Sequence, residues 1–329
     1  MPLVSVMLPV YNAECYVAEA IESILNQTYN NFEFIIVNDG SSDRSEEVIL
    51  SISDERIRYY RNEVNLGLIG TLNKSISLSS GKYLARMDND DICLPERLAK
   101  QVAFLESHPE VGVLGTAFYN IDKAGEIFSE TAFPSQHNLL CWSLCFFSPL
   151  AHPTVMMRRE LVQSEGGYKA GIVHCEDYDF WYRLSSKTKL SNLPDVLFKL
   201  RKHEMNSSSL FDTTQFNNSI IISRKMISQL IDEDIPEDLV RNLWKKDIKS
   251  IDEAKRIAGL IKKIYKAIKT GNTLSANETK YLRRDFALRI NNIMWPLRNH
   301  LLAWRYIGMI FYYDPMFLPS TIKAFIKKG

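Results

Sequence analysis

Gly81-Lys82-Tyr83-Leu84-Ala85-Arg86-Met87-Asp88-Asn89-Asp90-Asp91 runs from an apolar segment into three carboxylates within four residues. Tyr83 to Met87 reads as a short strand, and Pro95 with Glu96 opens a helix. The acids therefore sit at the C-terminal end of a strand, where open α/β sheets bind their ligands. Three like charges so close repel one another, so a cation is expected beside them. Alternation along an extended chain puts Asp88 and Asp90 on one face and Asn89 on the other. Two hard oxygen ligands on one face suit Mg²⁺ or Mn²⁺ held jointly with substrate phosphates. A turn followed by a helix cap suits the same residue types. On these residues alone both readings stand.

Outward from this segment, residues 3 to about 115 alternate strand and helix signals. Val4 to Leu8 is a strand ending at Pro9, and Val17, Ala20, Ile21, Ile24 and Leu25 follow at helical spacing. Phe34 to Val37 is a second strand, Ser45 to Ile52 a helix, Ile57 to Tyr60 a short strand and Leu68 to Leu78 a helix. The helix from Pro95 to Ser107 and the strand Val111 to Leu114 close the series. Such alternation predicts an α/β fold with a mainly parallel mixed sheet flanked by helices. From 116 to 205 the pattern is less regular, with strands read at His152–Met157 and Val196–Leu200 and a helix at Asp177–Ser185. Beyond Ser209 the chain reads as helical and basic, including Ala254–Lys269 with its stripe of Ile257, Leu260, Ile261 and Ile264.

The chain of 329 residues is 46% hydrophobic and 24% charged, a globular balance. Its five cysteines are scattered without a Cys-x-x-Cys pair, which argues against a disulfide framework or a zinc site and for the reducing cytoplasm. A strand directly after Leu3 leaves no room for a signal peptide, and no uncharged apolar run reaches membrane-spanning length. The net charge of +1 conceals an asymmetry, because residues 251–329 hold 15 Lys/Arg against 5 Asp/Glu. An acidic body with a basic tail points to an anionic surface as partner, and confinement of the basic charge to the tail excludes a nucleic-acid-binding body.

Five separated segments together resemble the family 2 glycosyltransferases, nucleotide-sugar enzymes with the GT-A (Rossmann-like) fold. They are Pro9-Val10-Tyr11-Asn12-Ala13-Glu14, Ser23-Ile24-Leu25-Asn26-Gln27-Thr28-Tyr29, Asn38-Asp39-Gly40-Ser41-Ser42-Asp43, the acidic run 88–91, and Glu176-Asp177-Tyr178-Asp179-Phe180-Trp181-Tyr182-Arg183-Leu184. The resemblance covers about residues 3–209. It implies a catalytic domain over 1–209, with a nucleotide-binding half to about 115 and an acceptor half at 116–209, followed by a helical basic region at 210–329.

The same resemblance assigns Pro9, Tyr11, Glu14, Asp39, Gly67, Arg86 and Asp88 to the nucleotide and Asp90, Asp88 and His203 to a divalent cation. A carboxylate at Asp39 facing a base N–H favours UDP or dTDP. Asp39-Gly40-Ser41 also suits a tight turn, Gly67 a loop glycine, and Arg86 either the diphosphate or the acidic cluster. Asp177 is the implied general base, with Glu176 in reserve. A helix N-terminus lowers a carboxylate pKa and weakens a base, so burial has to offset it. One base without a carboxylate nucleophile implies single displacement with inversion. His152-Pro153-Thr154 is read mainly as packing near the acceptor cleft.

The expected activity is transfer of one sugar from a nucleoside diphosphate to a hydroxyl of a glycan or lipid-linked acceptor, in cell-surface polysaccharide or lipopolysaccharide assembly. A sugar-phosphate nucleotidyltransferase fits less well, since residues 8–16 hold no Gly, Lys or Arg. A non-catalytic nucleotide-sugar-binding protein is the rival from another class. The aromatic run Leu301–Tyr313 is short for a bilayer span. It suits an in-plane segment at the inner membrane face, or a core helix packed on the catalytic domain or on a second copy in a homodimer. The basic tail favours the membrane.

Overall fold

Every residue of β1 (Val4–Val10) and β2 (Phe32–Asn38) is buried, as strands covered on both faces require. In this computed structural model residues 2–203, 212–245, 248–297, 306, 308–310 and 312–314 are described. The crossovers α1 (Val17–Leu25), α2 (Ser45–Ser51) and α3 (Gly67–Leu78) join β1, β2, β3 (Ile57–Arg61) and β4 (Tyr83–Arg86) into a parallel block ordered β3-β2-β1-β4. Helix α1 buries Val17, Ala20, Ile21 and Ile24, the stripe read from the sequence, against Val6, Leu8, Phe34 and Ile36. All these strands point the same way, so the chain leaves β1, β2 and β4 at one edge of the sheet.

The chain continues through β5 (Ile92–Cys93), α4 (Arg97–Ser107), β6 (Val111–Ile121), β7 (Ile127–Thr131), α5 (His137–Leu144), β8 (Met156–Arg158), α6 (Arg159–Ser164), α7 (Glu176–Ser185) and β9 (Lys189–Arg201). Among the described residues the sheet has nine strands; the second half runs β4-β8-β6-β9-β5, with β7 on β6. Here β8 is antiparallel to β4 and β6, β5 is antiparallel to β9, and β6 and β9 are parallel. The sheet is therefore mixed, and parallel throughout its first half.

The strand expected at His152–Met157 is instead a 3-10 turn, His152–Thr154, before the short β8. Pro153 has no N–H to give a ladder and its φ suits a helical first turn. The strand read at Val196–Leu200 extends over Lys189–Arg201 because β6 pairs with it along most of that length.

Residues 1–137 and 148–218 form one compact unit, and 138–147 with 219–329 a second. The second contains α8 (Asp212–Ile231) from Ser219 onward, α9 (Glu237–Lys245), α10 (Ile251–Gly271) and α11 (Ala276–Met294). Ser250 caps α10, and Ser275 with Glu278 closes a capping box on α11. The Ile257, Leu260, Ile261 and Ile264 stripe is buried. Trp142 packs edge-on against Tyr265 and donates from its indole to Asp285 at 2.6 Å.

In the aromatic run 301–313, residues 301–305, 307 and 311 lie outside the described residues. Of the others, Ile310 is buried and Tyr313 rests on Tyr265 and Phe286. Among the described residues no helix is long and apolar enough to cross a membrane.

Candidate active site

Beyond β4 the chain turns at residues 89–90 instead of staying extended. The turn gathers the carboxylates of Asp88, Asp90 and also Asp91 to within 4.8 Å of one another, while Asn89 turns back to donate to the Pro9 carbonyl at 3.2 Å. Two arginines and an imidazole lie against the acids. Arg86, only 2% exposed, forms an ion pair with Asp88. The backbone N–H of Arg201 donates to Asp91 at 2.7 Å, and its guanidinium binds the Asp90 carbonyl and the Glu19 carboxylate. His203 Nε2 lies 2.9 Å from Asp90 Oδ2, its ring stacked on Tyr16.

These contacts leave a deficit of positive charge. Burial first, then the neighbouring acids, pushes Asp90 above its ordinary value and Asp91 well above it. Three clustered carboxylates with an imidazole on one of them are hard oxygen and nitrogen donors, a set that fits Mg²⁺ or Mn²⁺.

The loops after β1 and β2 are laced together. Asn12 N–H donates to Ser41 Oγ, Ala13 N–H to Ser45 Oγ, and Glu14 N–H to Asp43. The Glu14 carboxylate accepts from the Arg44 backbone at the start of α2, and Tyr11 is half exposed. Buried Asp39 takes both of its side-chain hydrogen bonds on Oδ1, from Asn62 Nδ2 at 2.7 Å and Leu66 N–H at 2.8 Å. Among the described residues its Oδ2 receives no donor. Gly67 begins α3 with φ +72°, and a Cβ there would meet nothing within 4 Å, so backbone conformation is what asks for glycine.

Glu176 and Asp177 open α7. Burial first, then the charge of Asp177, pushes Glu176 up to about 7. Burial likewise pushes Asp177 up to about 6, against the lowering by the Tyr178 and Asp177 N–H groups and the nearby Arg86. Burial thus outweighs the helix terminus at Asp177. Arg86 stands between the two acidic groups: it pairs with Asp88 and its charge also acts on Glu176 and Asp177. Its Nε and Nη1 are buried, with no hydrogen-bond partner among the described residues.

The structure thus brings Arg86, Asp88, Asp90 and His203 together and sets Asp39 at the end of β2, with β1 between that strand and β4. It adds Asp91, Arg201, Tyr16 and Asn62, to which the sequence reading gave no role. Arg201 stands two residues before His203, a proximity that could have flagged it. Asn62 and Tyr16 carry no comparable signal.

Residues 5–165 match the sequence profile of Glycosyl transferase family 2. The chain is 35% identical over 250 residues to an uncharacterized glycosyltransferase of Haemophilus influenzae, covering 70% of this chain and 75% of that one. It is 32% identical over 211 residues to the O-antigen biosynthesis glycosyltransferase WbnJ of Escherichia coli, covering 62% and 81%. Its fold is similar to that of S. aureus TarS 1-349, solved in complex with UDP-GlcNAc, at a TM-score of 0.59 and 18% identity over 89% of each chain. Sheet, strand-end acids and relatives together define a glycosyltransferase of the GT-A fold. The chain belongs to glycosyl transferase family 2.

Proposed function

We propose that this protein transfers a single sugar, with inversion, from a nucleoside-diphosphate sugar to a hydroxyl of a glycan or lipid-linked acceptor. The observation that carries this reading is Arg86, a buried cation between the Asp88–Asp91 cluster and the Glu176–Asp177 pair, with two guanidinium nitrogens unpartnered among the described residues. Asp39 Oδ2 accepts the N–H of a uracil-type ring, which favours UDP or dTDP; the UDP-GlcNAc bound to TarS supports the same choice. Pro9, Tyr11, Glu14 and Gly67 line the nucleotide side.

A divalent cation is assigned to Asp88, Asp90 and Asp91 with His203 alongside. When bound it supplies positive charge that stabilises the leaving diphosphate. Arg86 offers its free N–H groups to the same developing charge. Asp177 removes the acceptor hydroxyl proton as that oxygen attacks the anomeric carbon; a carboxyl held at about 6 is half-way tuned to this task near neutral pH.

The name of WbnJ supports cell-surface polysaccharide assembly as the setting. Catalysis is assigned to residues 1–209, and attachment to an anionic inner membrane face to the basic region beyond. The exposed face of α10, with Lys255, Arg256, Lys262, Lys263, Lys266 and Lys269, supports that attachment.

Thermal stabilisation by UDP, dTDP, GDP and CMP, each with and without Mn²⁺, tests the donor site. Metal-dependent stabilisation by UDP or dTDP is expected. No response to any nucleotide from folded protein would overturn the assignment.

A further inference from the structure

His152 and Tyr168 lie against the acid pair, buried and outside the roles assigned above. His152 sits on the 3-10 turn before β8. Its Nε2 is 2.8 Å from the Tyr168 hydroxyl and its Nδ1 is 3.9 Å from Glu176 Oε1. Trp181 of α7 packs edge-on against the imidazole at 5.9 Å between ring centroids. We propose that His152 and Tyr168 are positioning residues: the tyrosine hydroxyl fixes the imidazole tautomer, and the imidazole N–H holds Glu176, leaving Asp177 to take the proton.

The tautomer argument runs on hydrogen-bond bookkeeping. Burial and nearby Arg86 keep His152 neutral, and burial keeps the Tyr168 phenol protonated. If the phenol donates into Nε2, the imidazole proton must reside on Nδ1, directed at Glu176. The opposite tautomer would set an Nδ1 lone pair against Glu176, which is repulsive whenever that group is ionised. One hydroxyl therefore decides whether Glu176 meets a donor or a lone pair. At 3.9 Å the Nδ1–Glu176 contact is longer than a hydrogen bond here, and such catalytic contacts commonly shorten when a site fills.

The placement of Tyr168 is itself tightly held. The Asn73 side chain of α3 accepts from the Tyr168 N–H at 2.9 Å and donates to the Tyr168 carbonyl at 2.8 Å. Gly166 and Gly167 both take positive φ, and a Cβ on Gly167 would lie 2.5 Å from Asn73 Oδ1. Arg183 of α7 donates to the carbonyls of Glu165 and Gly167 and is itself paired with Asp179 at 2.7 Å. Polar contacts thus form a closed circuit that starts and ends on α7: Glu176, His152, Tyr168, the 165–167 loop, Arg183, Asp179. Packing alone would need none of these buried polar groups, each of which is costly if left unpaired.

This inference rests on the reading of Asp177 and Glu176 as the acceptor-side pair, and the experiment separates the two. Release of UDP or dTDP by slow hydrolysis is measured for UDP-glucose, UDP-galactose, UDP-N-acetylglucosamine and dTDP-rhamnose, and the most active donor is carried forward. Tyr168→Phe, which removes only the hydroxyl, is expected to lower kcat about tenfold with donor KM and UDP affinity unchanged. His152→Gln, with its amide near the Nε2 position, is expected to fall at least as far. His152→Asn, whose amide N–H sits near the Nδ1 position, is expected to recover to within a few fold of the wild type. Wild-type kcat in Tyr168→Phe, or equal impairment in the two His152 variants, overturns the inference. If the His152 variants do not fold, Tyr168→Phe alone decides it. Asp177→Asn is the control: retained turnover there, or no release from any donor by the wild type, sinks the underlying reading instead.

Discussion

Replacing Asp177 with asparagine is expected to stop sugar transfer and to raise the melting temperature at pH 8. The two effects share one cause. Burial lifts the Asp177 carboxyl from 3.8 to about 6, so the folded protein keeps that proton over a range where the unfolded chain has lost it. Stability attributable to this group therefore falls as pH rises from about 4 to 6 and stays at the lower level above. About two pKa units at 1.36 kcal/mol each give ~3 kcal/mol for holding the ionised group in place at pH 8. Asp177 shares its environment with Glu176, so this is an upper figure. An amide is neutral at every pH and removes the charge that also helps lift Glu176.

At about 2–4 °C per kcal/mol for a folding unit of this size, the gain is up to roughly 6–12 °C at pH 8. At pH 4.5 the wild-type carboxyl is mostly protonated when folded, and the same linkage leaves about a third of the gain. Scanning calorimetry of wild type and variant at both pH values, without ligand, measures it, and turnover should fall about 10²–10⁴-fold. A gain equal at both pH values, or a loss at pH 8, would refute burial of an ionised carboxylate as the origin.

Asp39→Asn keeps an Oδ1 for Asn62 and Leu66 but turns Oδ2 into a donor, so UDP affinity should fall roughly tenfold or more; unchanged affinity by titration calorimetry would remove Asp39 from the base pocket. Asp90→Ala should abolish the Mn²⁺-dependent part of UDP stabilisation while leaving the Arg86–Asp88 pair in place, read as a thermal shift with and without the metal. Arg201→Met strips the buried guanidinium from Asp90, Asp122, Lys123 and Glu19. Its cost should be roughly 3–5 kcal/mol, seen as a lowered melting temperature; a loss below 1 kcal/mol would show that the cluster does not depend on it.

The first half of the fold was readable because its order is local. Strands covered on both faces appear as unbroken apolar runs such as Phe34 to Val37, and α1 appears as a stripe at helical spacing. The second half depends on partners far away. Val155 to Met157 is apolar enough to suggest a strand from His152 onward, yet Pro153 sets His152–Thr154 as a turn. The full length of β9 is set by its pairing with β6, which no window of sequence around Val196 contains.

The site divides along the same line. Asp88 and Asp90 are legible as acids at the end of a strand, whereas Asp177, at a helix start that suits a cap equally well, is reached only through the family resemblance. What makes them usable is supplied from elsewhere in the chain. Arg201 reaches Asp91 across 110 positions, and Tyr168 reaches His152 across a loop shaped by two glycines. Each acid is treated differently: Asp88 has a guanidinium, Asp91 a backbone N–H, Asp90 an imidazole, and the Glu176–Asp177 pair is left largely uncompensated by burial. That inequality fits the division of roles proposed for them. A fully neutralised cluster would have no attraction left for a cation, and a fully solvated Asp177 would be too weak a base. The fold keeps negative charge under strain at the two places where a metal-bound donor and an acceptor proton are expected to relieve it.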